Sequence, residues 1–175
     1  MSLNPPRIAQ PGDRAAVQRF LERLSPATVQ SRYLGAWTTL SRLAAERETR
    51  RLLDRNPDRH VVLLVTDDHD EIRGIGEFVV EEPGRAEVAF TVEDAFQHRG
   101  IGRRLFRRLE ELATRRGISI FTADVSGSNI RMQNLLRTAG RPIHATLEAA
   151  QMRFTLRLDA TRSVAGAESR VENVA

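Results

Sequence analysis

Cysteine and lysine are both absent from this sequence of 175 residues. Without cysteine the chain has no disulfide, no thiolate nucleophile and no cysteine-ligated zinc site. No apolar run approaches the roughly 20 residues of a membrane span, and residues 1–7 lack the apolar stretch of a signal peptide. We therefore expect a cytoplasmic protein that makes no use of a membrane.

The 27 basic residues are all arginine, and they exceed the acidic residues by four. With no lysine or cysteine and one tyrosine, almost nothing titrates between neutrality and the arginine range, so the sequence pI is about 10.9. The high pI thus reflects a small, persistent excess of charge. We interpret the arginines as solvated faces rather than as a nucleic-acid surface, which is the alternative.

The length and composition fit one globular domain, with 41% hydrophobic and 29% charged residues. We expect a single domain over residues 1–159. The chain after Asp159 is small and polar, which predicts a flexible tail over residues 160–175. The sequence does not indicate whether the protein is a monomer or an oligomer.

Three helices are predicted before residue 57. Asp13 suits the N-cap of the first, and its apolar face consists of Val17, Phe20, Leu21 and Leu24. Ser25 and Pro26 begin a second, short helix that reaches about Tyr33. The third extends from Thr38 to about Leu53.

The pattern then changes to strands, which are predicted at residues 60–66, 72–81, 85–92, 118–125, 143–147 and 151–158. A helix begins near Ile101 and ends at Gly117, and another follows Asn129 as far as about Ala139. Along the third strand Val88, Phe90 and Val92 share one face. Glu87 therefore points to the other face.

Gly100 and Gly102 open the helix that follows this strand. A helix N-terminus offers unpaired backbone N–H groups and a positive dipole, and glycine lets a pyrophosphate approach the backbone. A G-x-G pattern alone is weak evidence, since Gly74 and Gly76 repeat it inside an ordinary strand.

Other sites of similar appearance are disfavoured. Leu105 stands where a dinucleotide-binding fingerprint has its third glycine, and the preceding strands are not a βαβ unit. A Walker loop lacks its lysine, and no G-x-S-x-G elbow is present. The histidines lack metal-ligand spacing, so we predict no metal.

The stretch Gln97-x-x-Gly100-x-Gly102, with Val92 at the preceding strand end, resembles the acetyl-CoA signature Q/R-x-x-G-x-G/A of the GCN5-related N-acetyltransferases (GNAT). The resemblance covers Arg7 to Leu158. It implies an α/β (α+β) fold with a mixed, mostly antiparallel central sheet flanked by helices. It also implies acetyl-CoA as co-substrate and an amine as acceptor.

The resemblance implies cofactor-binding residues in three places. The backbone of Phe90, Thr91 and Val92 would pair with the pantetheine arm, next to a strand bulge. Asn129 matches an asparagine that contacts the same arm. The pyrophosphate would lie against the loop and the first helical turn, formed by Gln97, His98, Arg99, Gly100, Ile101, Gly102, Arg103 and Arg104.

Acetyl transfer requires a deprotonated amine, and a carboxylate near the thioester can take the proton. Glu87 matches the glutamate that serves as general base in histone acetyltransferases and bacterial lysine acetyltransferases. The alternative is an ordinary exposed strand glutamate, with Glu93 and Asp94 as weaker candidates for the base. Leu136 stands where many members have a tyrosine that protonates the leaving thiolate.

The segment Phe20 to Thr28, followed by Arg32-Tyr33-Leu34, resembles the bacterial protein-lysine acetyltransferase branch. A protein lysine is therefore the expected acceptor. A small-molecule amine acetyltransferase and a non-catalytic acyl-CoA-binding module remain alternatives.

Overall fold

The computed structural model describes residues 2–148, 151–159 and 170–173. The chain forms two compact units that interleave along the sequence. The first comprises Met1–Val79 and Ala89–Leu109, and the second comprises Val80–Val88 and Glu110–Ala175. None of the helices in the described residues is long and apolar enough to cross a membrane.

Helices of the first unit are α1 (Arg14–Glu22), α2 (Pro26–Arg32), α3 (Arg42–Leu53) and most of α4 (Ile101–Thr114). Its strands are β1 (Arg7–Ile8), β2 (His60–Thr66), most of β3 (Ile72–Glu82) and the end of β4 (Arg85–Val92). β2 pairs antiparallel with β1 and with β3. Every residue of β2 is buried, so its near-continuous apolar sequence marks a central strand.

The core of the first unit joins the apolar faces of α1, α2 and α3 to β2 and β3. It consists of Val17, Phe20, Leu21, Leu24, Val29, Ala45, Leu52, Val62, Leu64, Ile72 and Ile75. The predicted face of α1 is therefore confirmed. Burial of apolar surface, at about 25 cal/mol per Å², holds these helices on the sheet.

Two helix starts differ from the sequence prediction. Asp13 precedes α1 but makes no side-chain cap bond there. Its carboxylate instead accepts bonds from the Gln10 backbone N–H and the Arg7 guanidinium, which stabilise the preceding turn. Helix α3 begins at Arg42 rather than Thr38, because the Ser41 hydroxyl caps it by accepting from the Ala44 N–H.

The second unit contains the strand order β4-β5-β7-β6-β8. Its own elements are β5 (Ile120–Ser126), α5 (Ile130–Arg137), β6 (Ile143–Glu148), β7 (Gln151–Arg157) and β8 (Arg170–Asn173). β4 pairs parallel with β5, and β8 pairs parallel with β6. β7 pairs antiparallel with both β5 and β6.

The flexible tail expected over residues 160–175 lies mostly outside the described residues. The exception is Arg170–Asn173, which forms β8 beside β6 from His144↔Arg170 to Leu147↔Asn173. β8 and the two-residue β1 were not expected from the sequence, because neither segment is long enough to show a strand period.

Candidate acetyl-CoA site

The loop between β4 and α4 has an unusual backbone. His98 and Gly100 have positive φ values of 61° and 77°, in the left-handed region that glycine adopts without strain. The Gly100 carbonyl accepts from the Arg104 N–H at 3.0 Å, so Gly100 forms the N-terminal boundary of α4. A Cβ built at Gly100 has no atom within 4 Å. The space in front of the loop is therefore open.

The first turn of α4 presents backbone donors to this space. The N–H groups at the start of a helix have no intrahelical acceptor, and here they belong to Ile101, Gly102 and Arg103. A helix of 14 residues also carries positive partial charge at this end. The junction therefore suits a pyrophosphate, and the placement of the pyrophosphate here stays a prediction.

Gln97 contributes to the loop in a way that the sequence did not indicate. Its side-chain Nε2 donates to the Val92 carbonyl at 3.1 Å and to the Thr28 hydroxyl at 3.3 Å. The side chain therefore fastens the loop to the end of β4 and to α2.

The arginines around the loop make different contacts: two lie over an aromatic ring, one binds the N-terminal segment and one is exposed. The Arg99 guanidinium lies 5.0 Å from the Phe96 ring centroid, and Arg73 lies 4.4 Å from the same centroid. Arg104 donates to the backbone carbonyls of Leu3 and Asn4, so its side chain holds the N-terminal segment. Arg103 is exposed beside the first turn.

Burial along β4 alternates only in part. Val88 is buried and Glu87 is exposed, which fits their predicted opposite faces, but Thr91 is buried while Phe90 and Val92, predicted to share the face of Val88, are half-buried. The alternation therefore shifts by one residue after Val88. An extra residue in a strand, a β-bulge, produces such a shift.

Glu87 belongs to the second unit. In the parallel pairing of β4 with β5 it lies opposite Thr122, which is the last of the paired positions. The Thr122 hydroxyl donates to a carboxylate oxygen of Glu81 at 3.0 Å. The exposed position of Glu87 suits a carboxylate that exchanges protons with a bound amine.

The two alternative carboxylates, both in the first unit, are held by other residues. Glu93 accepts from Arg73 at 2.8 Å and lies 3.5 Å from the Arg23 guanidinium. Asp94 accepts from the hydroxyls of Ser25 and Thr28. Both carboxylates are therefore already engaged in contacts within the first unit.

Asn129 and Leu136 lie in the second unit. The Asn129 side-chain oxygen accepts from the Met132 N–H at 3.1 Å and caps α5. Leu136 is fully buried, so this position supplies packing and no acid. In the first unit, burial and the neighbouring Glu48 carboxylate raise the pKa of Tyr33, the sole tyrosine.

A buried charge cluster in the first unit was not predicted from the sequence. Glu77 is 4% exposed and contacts the guanidiniums of Arg32 and Arg51 and, at 2.6 Å, the His60 Nε2 atom. Burial by itself would raise the pKa of Glu77, but the bond from His60 and the two guanidiniums outweigh it and lower the pKa. The described residues contain no group of three or more metal-ligating side chains.

The sequence model of the acetyltransferase (GNAT) family matches residues 27–140. Three solved structures resemble the chain over most of its length. The GNAT domain of S. lividans PAT is 24% identical, with a TM-score of 0.77, over 87% of this chain and 89% of that one. Spermidine N-acetyltransferase from Vibrio cholerae, in complex with CoA and spermine, is 14% identical with a TM-score of 0.66, over 90% and 96% of the two chains.

The third structure is yncA from Salmonella typhimurium with its cofactor acetyl-CoA. It is 21% identical with a TM-score of 0.65, over 94% of this chain and 100% of that one. These likenesses confirm the predicted fold class, a mixed sheet flanked by helices. With the family match over more than half of the sequence, they lead to one conclusion: the chain belongs to the acetyltransferase (GNAT) family and is an acyltransferase with acetyl-CoA as its co-substrate.

Proposed function

We propose that the protein transfers an acetyl group from acetyl-CoA to the primary amine of a protein lysine. One observation carries the cofactor part of this proposal: the left-handed backbone at Gly100 opens α4 onto unobstructed space. Two observations support the acceptor part. They are the resemblance of Phe20 to Thr28 to the protein-lysine branch and the likeness of the fold to S. lividans PAT.

The loop geometry and the family resemblance both support the choice of binding residues. The N–H groups from His98 to Arg103 hold the pyrophosphate, and the exposed guanidiniums of Arg99 and Arg103 neutralise its charge. The Arg104 side chain is committed to the N-terminal segment, so only its backbone belongs to the site. The resemblance assigns the pantetheine arm to the backbone of Phe90 to Val92 in the first unit, and it separately matches Asn129 in the second unit to an asparagine that contacts this arm.

Bound acetyl-CoA supplies an activated thioester. Glu87 takes a proton from the acceptor ammonium, directly or through a water, which leaves a lone pair on nitrogen. This lone pair forms the new C–N bond while the C–S bond breaks, and the nitrogen, now positively charged, loses its second proton to water to give the neutral amide. Backbone N–H groups of β4 stabilise the charge that develops on the carbonyl oxygen. Because Leu136 offers no proton, the thiolate leaves ionised or takes its proton from water.

A small amine is the second candidate acceptor. The observation in its favour is the likeness of the fold to a spermidine N-acetyltransferase. A third possibility is an acyl-CoA-binding module without catalysis, which requires that Glu87 take no part in proton transfer. The cytoplasmic location stays a prediction from the sequence.

Labelled acetyl-CoA separates these possibilities when it is incubated with the protein and with separate protein and metabolite fractions of a bacterial lysate. Label on added proteins supports a protein acceptor, and label in the metabolite fraction supports a small amine. Turnover in neither fraction indicates a binding module. Because the chain has no lysine, no lysine side chain of its own takes up label.

A further inference from the structure

A short chain of hydrogen bonds joins helix α2 to residues 93–100, the loop between β4 and α4, which we call the cofactor loop. The Gln97 amide donates to Thr28 at 3.3 Å, and the Thr28 hydroxyl donates to the Asp94 carboxylate at 3.0 Å. The same carboxylate oxygen accepts from Ser25 at 2.8 Å. Ser25 also caps α2 by accepting from the Thr28 N–H. The first turn of α2 therefore contacts the loop through side-chain hydrogen bonds.

The chemistry of these groups fixes the direction of each bond. A carboxylate only accepts, so the single proton of the Thr28 hydroxyl points to Asp94. The Thr28 oxygen is then an acceptor toward Gln97, which requires the NH₂ end of the amide. The Val92 carbonyl requires the same NH₂ end at 3.1 Å. Gln97 thus has one productive orientation, with both of its side-chain N–H groups in use.

The burial of Thr28 makes the loss of these hydrogen bonds costly. Thr28 is only 8% exposed, so its hydroxyl has little access to water as an alternative partner. Gln97 stands directly before His98, where the backbone enters the left-handed region. Its own N–H donates to the Asp94 carbonyl at 3.2 Å. The loop therefore enters its turn from a residue that is held by both backbone and side chain.

We infer that Thr28 is a positioning residue for the cofactor loop: through Gln97 it sets the backbone that binds the pyrophosphate of acetyl-CoA. This inference rests on the proposed cofactor site and assigns it a residue on α2, a helix outside the loop. This role requires no contact of Thr28 with the cofactor or the acceptor. Thr28 is also the last residue of the segment Phe20 to Thr28 that resembles the protein-lysine branch. Its hydrogen bonds therefore link that segment to the cofactor loop.

The test compares Thr28→Val, which removes the hydroxyl and keeps the shape, with Thr28→Ser, which keeps the hydroxyl. Thr28→Val should raise the Kd and the KM for acetyl-CoA about tenfold, since it leaves a half-buried amide donor without its partner. The kcat at saturating acetyl-CoA should change less than twofold. Thr28→Ser should bind within about twofold of wild type.

Thr49→Val is a matched control. The Thr49 hydroxyl is also buried, but it donates to the Ala45 carbonyl within α3. This variant should lose a similar amount of stability while its Kd for acetyl-CoA stays unchanged. An equal Kd for Thr28→Val and Thr49→Val would overturn the inference, as would a Thr28→Ser variant that binds as weakly as Thr28→Val.

Hydrogen exchange of the cofactor-free protein gives an independent reading. In Thr28→Val the amides of residues 97–103 should exchange faster than in wild type or Thr49→Val. Unchanged exchange would count against the inference even if wild type binds acetyl-CoA. Failure of wild type to bind acetyl-CoA would instead overturn the proposed function, and the exchange result would still decide the role of Thr28.

A double-mutant cycle with Gln97→Leu tests whether the two residues act together. If Thr28 acts through Gln97, the double variant should bind acetyl-CoA no more weakly than Gln97→Leu alone. If the fold-change in Kd of the double variant equals the product of the fold-changes of the two single variants, the two residues act separately and the inference is wrong.

Discussion

Glu87 is the residue on which the proposed chemistry depends. Glu87→Gln keeps the shape of the side chain but removes its capacity to accept a proton. We expect kcat to fall about 10²–10⁴-fold near neutral pH, with an unchanged Kd for acetyl-CoA. The rate of the variant should rise with pH beyond the plateau of wild type. A lysine amine of pKa about 10.4 supplies more of its own free base as the pH rises.

Steady-state rates on a confirmed protein acceptor between about pH 6 and 10 check this prediction. Glu82→Gln is the control, because Glu82 is an exposed carboxylate at the end of β3 that pairs with Arg85 at 3.1 Å. It should keep wild-type kcat. If Glu87→Gln also keeps wild-type kcat at pH 7, another group is the base, and Glu93 and Asp94 are next to be replaced.

Gly100 tests the placement of the pyrophosphate. A side chain at its φ of 77° costs about 1–2 kcal/mol of strain and extends into the space assigned to phosphate. Wild type should bind acetyl-CoA in the micromolar range, about 8 kcal/mol. Gly100→Val should abolish binding, as measured by calorimetry.

Gly117 is a matched control for this strain. It follows the opposite end of α4 with a φ of 74°, and a Cβ there also has no atom within 4 Å. Gly117→Val should lose comparable stability and retain acetyl-CoA binding. Equal affinity of wild type and Gly100→Val would place the pyrophosphate elsewhere.

At the scale of elements, α4 lies on β3 because two glycines of β3 lack side chains. A Cβ at Gly74 would stand 2.5 Å from Ile101 Cγ2, and a Cβ at Gly76 would stand 3.1 Å from Leu105 Cβ. Phe90 and Leu109 complete the contact at 3.2 and 3.3 Å. The G-x-G pattern in β3 is thus a close-packing feature, and the first turn of α4 rests on it.

Gly74→Ala should force α4 away from β3. Since Ile101 is β-branched and has little room to rotate, we expect a loss of about 1–3 kcal/mol in the free energy of unfolding. We also expect a raised Kd for acetyl-CoA, because Ile101 begins the helix that holds the pyrophosphate. Urea unfolding and calorimetry measure the two effects.

Gly12→Ala serves as the comparison for Gly74→Ala, since a Cβ at Gly12 meets nothing within 4 Å. It should change neither stability nor binding by more than about 0.5 kcal/mol. A Gly74→Ala variant as stable as Gly12→Ala would show that the contact between β3 and α4 relaxes without cost.

At the scale of the whole molecule, buried carboxylates link stability to pH. The pKa values of Glu77 and Asp67 are both lowered in the folded chain. Burial alone would raise them, but the bond from His60 at Glu77 and the bonds from the His69 backbone N–H and Arg73 at Asp67 outweigh this effect. A carboxylate whose pKa is lower in the folded than in the unfolded state stabilises the fold at pH values above its unfolded pKa. That unfolded pKa is about 4 for these groups. This stability is lost as the pH falls toward the folded pKa.

We therefore expect the free energy of unfolding to decrease as the pH falls from about 5 to 2. Glu77→Gln should reduce this dependence and cost about 3–5 kcal/mol at pH 7, because the guanidiniums of Arg32 and Arg51 lose their buried partner. Denaturant unfolding at several pH values checks both effects. Glu46→Gln, at an exposed pair with Arg50, should leave the dependence of the free energy of unfolding on pH unchanged. If the dependence for Glu77→Gln runs parallel to that of wild type, Glu77 does not link stability to pH.

The sequence by itself determined most of the elements, because their signals are local; β1, β8 and the start of α3 are the exceptions. The β-branched run of β2 and the Ser25-Pro26 start of α2 gave bounds that agree with the structure within a residue or two. Gly100 was singled out by the resemblance of Gln97-x-x-Gly100-x-Gly102 to the acetyl-CoA signature, because a G-x-G pattern alone is weak evidence. The role of Glu87 came from resemblance and stays a prediction.

Only the tertiary structure decided which distant residues meet. Gly74 and Ile101 are 27 positions apart, and Thr28 and Gln97 are 69 apart, so no local period reveals either contact. Glu77 stands in a strand whose pattern predicts exposure or burial but not the two arginines that neutralise it. Side-chain contacts of this kind depend on how helices lie on the sheet, and that packing is set by the whole core rather than by any one segment.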